Sequence, residues 1–398
     1  MRRIAIFCSN PVNGGTAEVF VSLCEELVCR EKIDYEIYPC INICNKVSVF
    51  NRINNIERLS VYSYEDTYGS YKEEYSIIQK IWRKLFYLRI KKKNVEEMKR
   101  FLYKNRIDSV VIHNGGYLGD DLCNQMLKAA YKAKIHGERI VVFHSECAGG
   151  WLRRIRNIPY DYMIKKQATK VVTVSNYTKY CIEKKSFVRN IFVVNNGINL
   201  LSDSIISNDK IGKVINYKGD AVNFVQIGNF FSLKGQKYLI EAFSIAKNAT
   251  NKNIRLTIIG NVYDEEYFDE CKGLLKRIGI EDHVTILHNL YNARNFLSYY
   301  DTFVFSSVES ESMPIVLLEA MSASLPIIAF DCGGTREVIH DGEDGFIIEK
   351  RDVQRMANAM VMLAEDDTLR KQMGRTAFEH YENQFTRRKM GDRYLELL

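Results

Sequence analysis

Short apolar runs alternate with longer segments of helical period along almost the whole chain. The pattern predicts strands at Arg3–Cys8, Tyr35–Pro39, Ser109–His113, Ile140–His144, Val171–Ser175 and Phe192–Asn195 in the first half. In the second half it predicts Phe224–Gly228, Leu256–Gly260, Val284–His288, Thr302–Ser306, Pro326–Phe330 and Gly345–Ile348. Several of these, such as VVI, IVVF and TIIG, are continuous apolar runs, which suit a parallel sheet covered on both faces. Helical patterns lie between them, among others at Ala17–Cys29, Lys234–Asn248, Tyr267–Ile278 and Ile315–Ala323. This β–α alternation predicts a doubly wound α/β architecture. Continuity breaks once, at the polar stretch 200–221, after which a fresh strand begins at Phe224. The expected organisation is a first domain over 1–205, a second over 206–380, and a terminal helical segment, 381–398, able to cross back to the first.

Composition narrows the class. The chain has 398 residues, 46% of them hydrophobic and 26% charged, with only five prolines, so it can bury ordinary cores and is neither disordered nor collagen-like. No apolar run approaches the roughly 20 residues that span a bilayer, and the start leads straight into a strand. The expected location is cytoplasmic. Ten cysteines are scattered without a CxxC pair and read as small buried hydrophobes of a reducing compartment. No His/Cys set has zinc-ligand spacing, so no metal is expected.

The net charge of +7 hides an asymmetry: residues 1–200 hold 33 basic and 20 acidic residues, and the remainder 23 and 29. Much of the excess lies in 77–106, with eleven basic and two acidic residues. There Ile77, Ile78, Ile81, Trp82, Leu85 and Phe86 share one helical face and Gln79, Lys80, Arg83 and Lys84 the other, before Arg89, Lys91, Lys92 and Lys93. Two readings stay open: a helix lying on anionic lipid, peripheral to the inner membrane face, or an amphipathic helix packed on its own domain. Nucleic acid is not expected, because aromatic interleaving and a recognition fold are missing.

Candidate chemistry sits where strands hand over to helices, the place where open α/β sheets bind ligands. Glu311 and Glu319 flank the segment Ser-Met-Pro-Ile-Val-Leu-Leu after the strand TFVFSS. Pro314 suits the first helical position, so the amides of Met313 and Ile315 would sit at the positive end of the helix dipole, ready for an anion. A diphosphate there would place a sugar near Glu311 and a ribose near Glu319. Read plainly, these are two solvated glutamates on an amphipathic helix. After NFVQIG comes Asn229, then Lys234-Gly235 at a strand-to-helix crossover, where lysine can meet a phosphate as a point charge or simply lie exposed. Gly14-Gly15 opens the first helix, either for close backbone approach to an anion or as a tight turn. His113 and His144 end predicted parallel strands.

In combination, IGN-(x)4-KG, LTIIG, VTILHN and SSVESESMPIVLLEAMSASLPIIAFDCGGTREVIHDGEDGFII resemble the carboxyl-terminal domain of family 4, or group 1, glycosyltransferases. GGTAE, DSVVIHN, VVFHSE, VTVSN and NNGIN are similar, more loosely, to their first domain. The resemblance implies the GT-B fold, two Rossmann-like domains facing each other across a cleft, and retaining transfer from a nucleotide-sugar without cofactor or catalytic metal. It implies that Glu319 binds the donor ribose and that Glu311 holds the sugar and stabilises an oxocarbenium-like transition state. Lys234 would neutralise the leaving phosphate, the amides of Met313 and Ile315 would bind sugar or diphosphate, and Leu287 and His288 would frame the nucleobase. Gly14 and Gly15 would approach the diphosphate, His144 would stand near the transferred sugar, and His113 would lie on the acceptor or sugar side.

One departure matters. Asn229 stands where the family usually carries arginine, which leaves Lys234 as the main cation. The function expected is transfer of a hexose, from a UDP-sugar above all, to a saccharide or lipid-linked acceptor in bacterial surface polysaccharide or glycolipid synthesis. The alternative is a catalytically silent partner protein of the same fold.

Overall fold

A computed structural model of the chain describes residues 2–8, 15–30, 35–42, 62–64, 77–146, 152–200, 221–288, 290 and 293–398. The chain divides into two units, Met1–Gly197 with Arg387–Leu398, and Ile198–Thr386.

In the first unit, β1 (Arg2–Cys8), β2 (Tyr35–Asn42), β3 (Tyr62–Tyr64), β4 (Ser109–Asn114), β5 (Arg139–Phe143), β6 (Lys170–Thr173) and β7 (Ile191–Val193) form one sheet. Its order is β3-β2-β1-β4-β5-β6-β7, and every pairing is parallel. The apolar runs become interior strands: Ile4–Cys8 and all of β4 are buried. Helices α1 (Gly15–Cys29), α2 (Ile77–Lys104), α3 (Asp121–Ala133), α4 (Leu152–Gln167) and α5 (Asn176–Lys185) connect them. Asp120 caps α3 by accepting the Leu122 N–H, and Ser175 caps α5 through the Thr178 N–H. The short β3 is an element the apolar pattern did not predict.

The second unit repeats the plan. Strands β8 (Val222–Ile227), β9 (Ile254–Ile259), β10 (Val284–Leu287), β11 (Thr302–Phe305), β12 (Ile327–Phe330) and β13 (Gly345–Ile348) stand in the order β10-β9-β8-β11-β12-β13, again all parallel. Helices α6 (Gln236–Ala249), α7 (Glu265–Ile278), α8 (Ile315–Ser322), α9 (Val353–Glu365) and α10 (Asp367–His380) complete it. Phe224, Phe243, Leu256, Ile258 and Met360 meet in its core.

The units change at Gly197/Ile198, before the expected limit of 205/206, and at Thr386/Arg387, after the expected 380/381. Ile198 already belongs with the second unit, since its N–H donates to the Phe385 carbonyl at 3.0 Å and its own carbonyl accepts the Tyr381 hydroxyl at 2.9 Å. Residues Tyr381–Phe385 form a single π turn rather than the start of the terminal helix. That helix, α11 (Arg387–Leu397), lies with the first unit. It is pinned to α1 by Arg30–Asp392 at 2.6 Å and by Arg387 against Glu25 and Glu26 at 3.2 and 3.1 Å.

Candidate active site

In a doubly wound sheet the binding place is where neighbouring strands send their connections to opposite faces. In the second unit that point lies between β8 and β11, paired through Phe224 with Thr302 and Val225 with Phe303. The segments leaving these two strands carry Lys234 and Glu311, and the structure joins them. Lys234 Nζ lies 2.5 Å from Glu311 Oε1, which also accepts the Ser307 hydroxyl at 2.8 Å.

Backbone geometry builds this contact. A 3-10 turn, Ser232–Lys234, ends in Gly235 with φ 65°, the left-handed region that favours glycine. A Cβ there would fall 2.1 Å from the Ser306 carbonyl oxygen, so only glycine lets the lysine segment press onto the end of β11. Gln226 Nε2 donates to Ser306 Oγ at 2.8 Å, and Ser306 Oγ donates to the Lys234 carbonyl at 2.8 Å. On the far side, Gly334 N–H donates to the Glu311 carbonyl at 2.8 Å. Beside them the Cys332 thiol, pushed up to about 11 chiefly by burial, is an inert packing group.

Helix α8 starts at Ile315, as the pattern predicts, with Pro314 just outside it rather than in the first helical position. Pro314 is its N-cap, with φ −67° and ψ 116°, and its carbonyl accepts the Leu317 N–H at 3.2 Å. Proline's φ with an extended ψ is a cap conformation rather than a helical one, and the cap's carbonyl accepts an amide of the first turn. Ile315 and Val316 therefore offer the first helical amides. Glu319 follows Ile315 by four residues, on the same face and roughly 6 Å along the axis. Met313 is buried, and Ile315 and Glu319 are half-buried.

Asn229, where an arginine was expected, has a structural task. Its Oδ1 accepts the Asn261 N–H at 3.2 Å, and Phe230 N–H donates to the Asn261 carbonyl at 2.8 Å, tying the ends of β8 and β9. Leu287 closes β10 with its carbonyl on the Gly260 N–H at 2.9 Å, and exposed His288 packs edge-on against Phe268.

The first unit brings together two residues that sequence spacing left apart. His113 is the penultimate residue of β4, His144 follows β5, and His113 Nδ1 lies 2.9 Å from His144 Nε2. The rings stack with centroids 5.1 Å apart, and Phe20 and Tyr394 of α11 close on His113 at 5.9 and 6.0 Å. Both imidazoles are buried. Burial lowers the His144 pKa to about 4; burial, followed by the neighbouring His144, pushes His113 well below its ordinary value. Both rings are therefore neutral at pH 7. Unfolded histidine takes up protons below about pH 6.5. Stability is thus complete above that pH and is lost as pH falls toward 4, by roughly 1.4 kcal/mol per pH unit for each imidazole. His144→Gln is expected to flatten this dependence in denaturant midpoints measured from pH 7 to 4.5. An unchanged slope would contradict it.

Gly15 opens α1 and is exposed; Gly14 lies outside the described residues. The side chains of Trp82 and Lys84 also lie outside them. The second half of α2 packs on its own domain through Val95, Met98, Phe101 and Leu102. Lys91 and Tyr87 bind Asp121, and although burial raises that carboxyl these two contacts outweigh it and hold it below the usual range. Lys92 and Lys93 stay exposed.

Residues 207–380 match the family model described as glycosyl transferases group 1. An uncharacterized glycosyltransferase of Haemophilus influenzae is 24% identical over 94% of this chain and 93% of its own. The UDP-Gal:alpha-D-GlcNAc-diphosphoundecaprenol alpha-1,3-galactosyltransferase of Escherichia coli is 27% identical over 51% of this chain and 53% of its own length. The crystal structure of Anabaena HepE in complex with UDP superposes with a TM-score of 0.75, covering 100% of this chain and 99% of that one at 15% identity. The fold is GT-B, and the similarity to group 1 glycosyl transferases lies in residues 207–380.

Proposed function

We propose that this chain is a retaining, metal-independent member of family 4. In this reading it moves a hexose from a UDP-sugar to a saccharide or lipid-linked acceptor in bacterial surface polysaccharide or glycolipid synthesis. The observation that carries the reading is the Lys234–Glu311 pair at the switch point between β8 and β11, inside the segment matching the group 1 model. A ligand in HepE and the donor in the name of the Escherichia coli relative support UDP, and that relative's acceptor is lipid-linked.

In this reading the leaving diphosphate meets Lys234 and the first amides of α8. Negative charge grows on the departing phosphate oxygen as the glycosidic bond breaks, and a positioned ammonium and helix N-terminus stabilise it most at that moment. Glu311 holds the sugar hydroxyls and faces the positive charge developing on the ring. Glu319 takes the ribose hydroxyls, and neutral His144 serves as hydrogen-bond partner or proton carrier. Asn229 supplies no charge, so Lys234 carries the cationic role. No described helix is long and apolar enough to cross a membrane. A peripheral contact with anionic lipid would rest first on Lys92, because Lys91 is engaged with Asp121 and Lys93 lies 3.7 Å from Glu97.

Calorimetric titration with UDP tests the donor assignment. Glu319→Ala is expected to weaken UDP binding by roughly 10- to 100-fold, about 1.4–2.7 kcal/mol. Equal affinity in the variant would remove Glu319 from the ribose site. No UDP binding by the parent protein would favour the catalytically silent reading.

A further inference from the structure

Away from the residues assigned to the donor, the second unit gathers two histidines and a carboxylate around one point. His340 and Asp344 come from the turn before β13, and His380 ends α10. Gly342, with φ 83°, reverses the chain between the first two. The candidate ligand atoms of the three side chains all lie within 4.8 Å of one another. Asp344 is wholly buried, with Oδ2 2.6 Å from His380 Nδ1 and Oδ1 accepting the His340 backbone N–H at 2.8 Å. The rings of His340 and His380 meet at a centroid distance of 3.8 Å, closer than aromatic rings ordinarily pack. The three groups thus converge, rather than merely sharing a hydrogen bond.

We propose that His340, Asp344 and His380 form a structural binding site for a divalent transition-metal ion of the zinc class. Two imidazoles and one carboxylate are a donor set that zinc prefers. The Oδ1 hydrogen bond fixes the buried carboxylate in the manner of an outer-shell contact that orients a ligand. Tetrahedral ligands about 2.1 Å from an ion stand roughly 3.4 Å apart, so the His380–Asp344 pair must open while the more distant donor atoms draw in. His340 is free to supply that movement, its side chain being 43% exposed. Glu343, 3.7 Å from His340 Nδ1, or a water would take the fourth place. A bound ion would replace the His380–Asp344 hydrogen bond and staple the β12–β13 connection to the end of α10, immediately before the π turn. Sequence spacing concealed this set because His380 lies 36 residues beyond Asp344.

The test titrates the metal-free protein with Zn2+ against a competing chelator, and with Co2+ followed by its visible spectrum. The expected result is one ion per chain and a raised melting temperature. In His340→Ala, affinity should fall roughly tenfold or more while the metal-free melting temperature is unchanged. His380→Ala is expected to lose the ion as well, but it also removes the buried partner of Asp344, so the His340 variant decides. Absence of saturable one-to-one binding, or equal affinity in His340→Ala, would overturn the site.

Discussion

Lys234→Ala is expected to slow sugar transfer by roughly a hundred- to a thousandfold while the protein stays folded. The two effects separate by magnitude. Lys234 and Glu311 are each about one-quarter exposed, and an ion pair this accessible contributes about 0–1 kcal/mol to stability. Removing one preplaced charge from a developing anion costs about 2.7–4 kcal/mol of transition-state stabilisation. With Asn229 uncharged and engaged with Asn261, no cation at that position compensates. The variant should therefore melt within a few degrees of the parent protein yet release nucleotide far more slowly. A rate within threefold of the parent would take Lys234 out of the chemistry.

Gly333→Ala should damage stability and activity together. Gly333 has φ 60°, and an added Cβ would lie 2.1 Å from the Glu311 carbonyl oxygen and 2.7 Å from its amide nitrogen. Both are backbone atoms that cannot swing aside, so the loop bearing Glu311 must move. Left-handed strain contributes about 1–2 kcal/mol, and the clash adds about 1–3 kcal/mol. Gly279 isolates the first part, because its φ is 74° and no atom would lie within 4 Å of its Cβ. Gly279→Ala should cost only the strain, seen as a smaller drop in denaturant midpoint and unchanged turnover. Equal losses in the two variants would contradict a packed contact between Gly333 and Glu311.

Much of this was legible in the sequence, for a physical reason. Interior parallel strands must be apolar on both faces, so runs such as Ser109–His113 and Thr302–Ser306 announced themselves, and β4 and β11 occupy those places. The glycine after Lys234 and the two glutamates around α8 marked the switch point. What stayed hidden depends on distant contacts. His113 meets His144 only because β4 and β5 are neighbours in the sheet. Ser307 gave no signal beyond its place after β11, and the adjacent glycines 333 and 334 showed no partner until the fold brought Glu311 over them. Pro314 stands as the cap of α8 rather than its first residue because proline's fixed φ suits both places, and only ψ separates the two. The return to the first unit begins at Arg387 because Tyr381 and Phe385 stay bonded to Ile198.

The central claim is retaining transfer from a nucleotide-sugar through Lys234, Glu311 and Glu319. Its most direct test incubates the protein with a panel of α-linked nucleotide sugars, reads released nucleotide diphosphate, and follows the freed or transferred sugar by proton NMR. Selective turnover of a UDP-hexose is expected, with the α anomer appearing first and both signals lost in Glu319→Ala. First appearance of the β anomer, or turnover that persists in the variant, would contradict it.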